Sequence, residues 1–171
     1  MSDMTLETYR ANLNVGARGY LFYWRPNIPG GDDATASKLV RSTSLPTSTI
    51  NTINIPWQGY QYKIGGRHEY AEWSVTLTMD SPDMTRTPLL TWMNMKIHNP
   101  KTNLHGIPTD YFATQQVELI DPYSHAPTQT YHLVDAWPSS VSEIALDYSS
   151  TDVATYSVTF AYQYFTIDGV N

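Results

Sequence analysis

At 171 residues the chain has the length of one ordinary domain, and a hydrophobic fraction of 41% supports a real core. Charged residues make up only 15%, below the roughly 25% usual in soluble domains, and the formal net charge is −6. With no cysteine, disulfides and thiolate chemistry are excluded; no apolar run approaches the roughly 20 residues of a bilayer span, and residues 1–10 show no secretory h-region.

Taken in chain order, residues 5–13 fit a short helix. A strand is expected at 20–24, followed by a long loop from Pro26 to Ser37 punctuated by Pro29-Gly30-Gly31. Strands follow at 38–43 and 50–55. Tyr60, Tyr62 and Ile64 alternate with polar residues, which predicts a half-buried strand, and Gly65-Gly66 reads as the turn after it. The strongest alternation is Trp73-Ser74-Val75-Thr76-Leu77-Thr78-Met79. It places Trp73, Val75 and Leu77 inward as core residues.

A helix should begin with Thr87 as N-cap and Pro88 in its first turn. Leu89, Met93 and Ile97 recur along one face, Trp92 broadens that stripe, and Asn99-Pro100 ends it. Strands at 112–120 and 128–136 flank a turn at Asp121-Pro122. Trp137-Pro138-Ser139-Ser140 reads as a further loop, with Trp137 packed into the core. Ile144, Leu146 and Tyr148 alternate as a strand, and so do Tyr156, Val158, Phe160, Tyr162 and Tyr164. The expected fold is mainly β: an antiparallel β-sandwich or partial barrel with one flanking α-helix. No boundary divides residues 1–171.

Charge is unevenly placed. The last base is Lys101, and after it stand Asp110, Glu118, Asp121, Asp135, Glu143, Asp147, Asp152 and Asp168. An anionic C-terminal part is a poor grip for nucleic acid. These acids read either as solvated strand and turn residues or as a surface facing a basic partner.

No catalytic constellation assembles. There is no phosphate loop and no nucleophile elbow, and none of the five histidines stands in an HExxH pattern. His125 and His132 are placed to meet across a hairpin, Glu69 and Glu72 are a candidate carboxylate pair, and Asp32-Asp33 is a candidate cation loop. Each has an ordinary surface reading beside it. No cofactor is expected. A carbohydrate-binding module is the rival that the aromatic content suggests. The core reading of Trp73, Trp92 and Trp137 weighs against it, while Trp24 and Trp57 stay open.

The order of segments resembles a known family. Ser44-Leu45-Pro46 closes one strand and another ends at Ile55-Pro56. Lys63-Ile64-Gly65-Gly66-Arg67 leads into Glu72 to Asp80 and a helix. Trp137-Pro138 precedes Val141, Glu143-Ile144 and Leu146-Asp147-Tyr148, then Thr155 to Phe165. Over roughly 37–98 and 131–165 this is similar to the tail tube proteins of T4-like contractile phages, the inner-tube family of contractile injection systems. The 26–37 loop is longer than its counterpart there, and Gln163 stands where an acid is expected.

The resemblance implies a structural, non-enzymatic subunit. Its strands would join those of its neighbours into a ring-wide barrel, as hexameric rings stacked inside a contractile sheath. Sheath, baseplate or tail-initiation and terminator proteins would be partners. Tape measure protein and DNA would occupy or pass through the lumen, and there would be no membrane anchor. The place would be the virion tail, assembled in the host cytoplasm. An injection-system or bacteriocin inner tube is the near alternative. Glu118, Glu143 and Asp147, which alternation takes out of the core, are the candidate lumen- or sheath-facing acids.

Overall fold

The structure is a computed structural model describing residues 6–7 and 18–169. The expected 5–13 helix lies almost entirely outside these. Strands dominate and every pairing is antiparallel. They are β1 (Phe22–Arg25), β2 (Val40–Thr43), β3 (Ser48–Trp57), β4 (Tyr60–Tyr70), β5 (Trp73–Thr78), β6 (His98–Asn99), β7 (Leu104–His105), β8 (Ala113–Ile120), β9 (Pro127–Val141), β10 (Thr155–Ala161) and β11 (Tyr164–Ile167). Seven form one sheet along the path β1-β8-β9-β10-β5-β2, with β11 also paired to β9. β9 is the corner. Its first part pairs with β8 and β11, and its last residues pair with β10.

The sheet folds back at this corner, so the two ends of the path approach each other. Trp24 of β1 meets Trp73 of β5 with ring centroids 6.1 Å apart, and both rings contact Phe160. Trp73, Val75 and Leu77 are buried beside Tyr156, Val158 and Phe160, which face them in register on β10. The period-two pattern of β5 follows directly: odd residues enter the core and even ones leave it. Trp92 is fully buried and donates from its indole nitrogen to the Tyr111 carbonyl at 2.9 Å. Trp137 is only half-buried, against Tyr111.

Several expectations are corrected. Lys38 and Leu39 are not strand but the end of a helix, α1 (Asp33–Leu39), whose N-cap Asp32 accepts from the Thr35 amide. The 26–37 loop is therefore partly helical. A second helix, α2 (Arg86–Thr91), starts at cap Thr85 rather than Thr87 and continues as a π-helical turn through Trp92–Ile97. A third, α3 (Pro108–Tyr111), precedes β8; neither it nor α1 was among the expected helices.

Gly65-Gly66 is not a turn. It lies inside β4 at a register shift, where a Cβ on Gly66 would come within 2.8 Å of the Asn51 carbonyl. The turn is Gln58-Gly59, with φ of 45° and 86°, the left-handed pair that a two-residue hairpin needs. Trp137 to Ser140 is not a loop but the end of β9. Pro138 sits where the β9–β10 register shifts, so its missing N–H breaks no regular ladder. The alternating 144–148 segment forms no strand. The expected strand through Tyr164 is broken at Tyr162-Gln163 into β10 and β11.

Candidate functional site

The most distinctive surface is the β3–β4 hairpin. Among the described residues its strands of 10 and 11 residues pair only with each other, and none of their residues is buried. At about 3.3 Å per residue the ribbon is roughly 30 Å long. Its base is held by Tyr70, whose ring lies 5.8 Å from Phe165 and 6.0 Å from Tyr162.

Cross-strand register explains what the free end presents. Ile53 faces Ile64, Ile55 faces Tyr62 and Trp57 faces Tyr60, so all six share one face. The opposite face carries Asn54 with Lys63 and Pro56 with Gln61. Trp57 is 67% exposed and Tyr60 80%. A two-stranded ribbon is at best marginally stable alone, and one with a bare apolar face lacks the partner that such a pattern requires. The sequence expectation of a half-buried strand at 60–64 was right in its alternation. Among the described residues, however, nothing covers that face. The signal that could have revealed the ribbon is the mirror-image alternation of Ile53, Ile55 and Trp57 with Tyr60, Tyr62 and Ile64 about Gln58-Gly59.

The three candidate acids are not equivalent. Glu118 projects from the non-core face of β8, as alternation predicts, yet it is buried rather than exposed. Arg25, diagonally placed on β1, covers it and donates to Oε1 at 2.5 Å. That hydrogen bond and charge hold the Arg25 guanidinium above its ordinary pKa. Glu118 is thus a member of an ion pair on that face. Glu143 and Asp147 are exposed, but on the irregular segment between β9 and β10 and not on a strand. The Asp147 carboxylate is held below its ordinary pKa by the backbone N–H of Ser149 and then by its hydroxyl.

The other singled-out groups do local structural work. Asp32 caps α1, and Asp33 Oδ1 accepts from the Ile28 amide at 2.9 Å. Glu69 accepts from Asn51 on the same ribbon, while Glu72 lies between β4 and β5. His125 sits in the β8–β9 turn, while His132 pairs with Asp168 at 3.0 Å, so the structure does not bring these two histidines together. Unforeseen is the stacking of His98 on His105 across β6–β7, at 4.3 Å. Among the described residues no group of three or more His, Cys, Asp or Glu side chains is arranged to hold a metal.

A family model described as phage tail tube protein matches residues 31–168. The tail tube protein of Serratia phage KSP90 is 24% identical over 117 residues, a match covering 68% of this chain and 66% of that relative's length. Among solved structures, the sheath/tube terminator of the extracellular contractile injection system PVC superposes with a TM-score of 0.69 at 17% identity, covering 90% of this chain and 97% of that one. The tube-terminating cap of the anti-feeding prophage gives 0.68 at 16%, covering 90% and 91%. The PVC sheath–tube complex gives 0.60 at 16%, covering 97% and 100%. These structural likenesses concern the fold. The family model spans most of the chain, and on it the chain belongs to the phage tail tube protein family, as a structural tail subunit and not an enzyme.

Proposed function

We propose that six copies form a ring, and that rings stack into a hollow tube inside a contractile sheath, as the conduit for DNA delivery. The observation that carries this reading is the β3–β4 ribbon: an apolar face of six residues with no cover among the described residues, flanked by two strand edges that no described strand pairs. Unpaired edges invite association, and a closed ring consumes them. Sheath protein, baseplate or tail-initiation and terminator proteins are the partners. Tape measure protein and then DNA occupy the lumen. Assembly takes place in the host cytoplasm. Glu143 and Asp147, exposed and with no base after Lys101 in the sequence, are assigned to surfaces that the assembled tube uses, towards lumen, sheath or a neighbouring subunit.

A second reading, an inner tube with a protein payload, is favoured by the fold likeness to the PVC sheath–tube complex. Electron microscopy of the purified protein with tail-initiation components is the test of assembly. Hollow stacked rings are expected, and a persistent monomer would sink the proposal. Nuclease-protected DNA in assembled particles separates a genome conduit from a protein-loaded tube.

A further inference from the structure

The strand path β1-β8-β9-β10-β5-β2 ends on β1 and β2, whose outer edges have no strand partner among the described residues. Between them is an open seam of about 540 Å³, lined by Tyr20, Tyr23, Trp24, Lys38, Arg41 and Ser42. Its chemistry is aromatic and basic. Trp24 is wholly buried, yet its indole N–H has no acceptor among the described residues. A buried donor without a partner is uncommon enough to require an explanation.

A complementary segment exists in the same sequence. From Glu143 to Tyr148, apolar Ile144, Leu146 and Tyr148 alternate with Glu143, Ala145 and Asp147, a strand pattern that forms no strand. Ile144 is half-buried against the subunit's own core, whereas Leu146 is 86% exposed and Tyr148 is bare. The segment is tethered between β9 and β10, and β5 stands between β10 and β2. Reaching its own seam would mean crossing that strand, so the fitting occupant belongs to another molecule.

We infer that residues 143–148 of one copy insert as an added strand into the β1/β2 seam of a second copy. The inference rests on the self-association proposed above and names one of its interfaces. Backbone groups of the added strand satisfy the edge groups of β1 and β2 that remain free, the Trp24 carbonyl already accepting from the Ser37 hydroxyl, as in other strand-addition complexes. Leu146 and Tyr148 lie against Tyr20 and Tyr23, with Ile144 left in its own core as the root of the segment. Glu143 and Asp147, on the other face, meet Lys38 and Arg41 at the rim, with the opposite signs that fix register. The contact is head-to-tail, because seam and segment are different patches, and such a contact repeats around a ring.

The natural absence of cysteine makes the test direct. One chain carries Leu146→Cys, another Ser42→Cys, and the two are mixed under assembly conditions and oxidised. A covalent heterodimer is expected in assembled rings, and none from either variant alone. Amides 143–148 should gain exchange protection on assembly. Lys38→Glu with Arg41→Glu should abolish rings, and adding Glu143→Lys with Asp147→Lys should restore them. Rings that form without the crosslink, and with 143–148 exchanging as in the monomer, overturn this inference while leaving self-association standing. A chain that never assembles overturns both.

Discussion

The body of the subunit and its β3–β4 ribbon use the same alternating chemistry to opposite ends. In β5, Trp73, Val75 and Leu77 alternate with hydroxyl residues and are sealed against β10. In the ribbon, Ile53, Ile55, Trp57, Tyr60, Tyr62 and Ile64 alternate with polar residues just as cleanly, and none is buried. Period-two patterning therefore specifies that a face must be covered, not which molecule covers it. For a protein whose final state is an assembly, half of that information is addressed to a neighbour.

The contrast can be broken hardest in the body. Trp73 packs edge-on against Trp24 and tilted against Phe160, and its indole donates to the Ser44 carbonyl at 2.6 Å. Trp73→Ala should cost about 3–5 kcal/mol of stability, read as a large drop in melting temperature of the unassembled subunit. An unchanged melting curve would remove Trp73 from the core account.

Next comes Gly106, the residue that follows β7. A Cβ on Gly106 would sit 1.8 Å from the Lys96 carbonyl oxygen, so Gly106→Ala must displace backbone. We expect a loss of about 1–3 kcal/mol, measured by denaturant unfolding, as for other overpacked sites. Wild-type stability in this variant would mean that the π-helical turn yields easily.

The ribbon should respond in the opposite way. Trp57→Ser should leave the isolated subunit within about 0.5 kcal/mol of wild type, because no buried contact is lost. The same change should sharply reduce sedimenting rings or tubes. Large destabilisation without an assembly defect would reverse the assignment of the two regions.

The smallest expected effect is that of pH. The folded-state pKa values of Asp32, Asp121 and Asp147 are lowered, chiefly by hydrogen bonds from Thr35, Ser124 and Ser149. A depressed carboxylate pKa adds stability that is fully present above the ordinary value of about 4 and is lost as pH falls through the folded value. Acid unfolding monitored on Asp121→Asn should therefore show less pH dependence below about pH 4 than the parent. Superimposable curves would assign these turns no role in acid stability.

Much of the body was legible because its signals are local and redundant. Trp73 to Leu77 could be phased from alternation alone, and the buried Leu89 and Trp92 follow from the helical stripe. The misreadings have physical causes. Pro138 looked like a strand breaker but occupies a register shift where no donor is missed. Gly65-Gly66 looked like a turn because glycine serves bulges as well as hairpins, while Gln58 took a left-handed conformation that its residue type does not advertise. Glu118 was phased to the non-core face correctly, but no local pattern could show that Arg25, 93 residues away, would cover it. The pattern at 144–148 was real and its strand absent, as for a segment awaiting an edge.

Amide hydrogen exchange on residues 48–70, compared between isolated subunits and assembled tubes, tests the central claim most directly. The account predicts fast exchange in the isolated ribbon and strong protection at 53–64 after assembly, while β5 is protected in both states. Equal exchange of the ribbon in the two states, in tubes verified by microscopy, would contradict it.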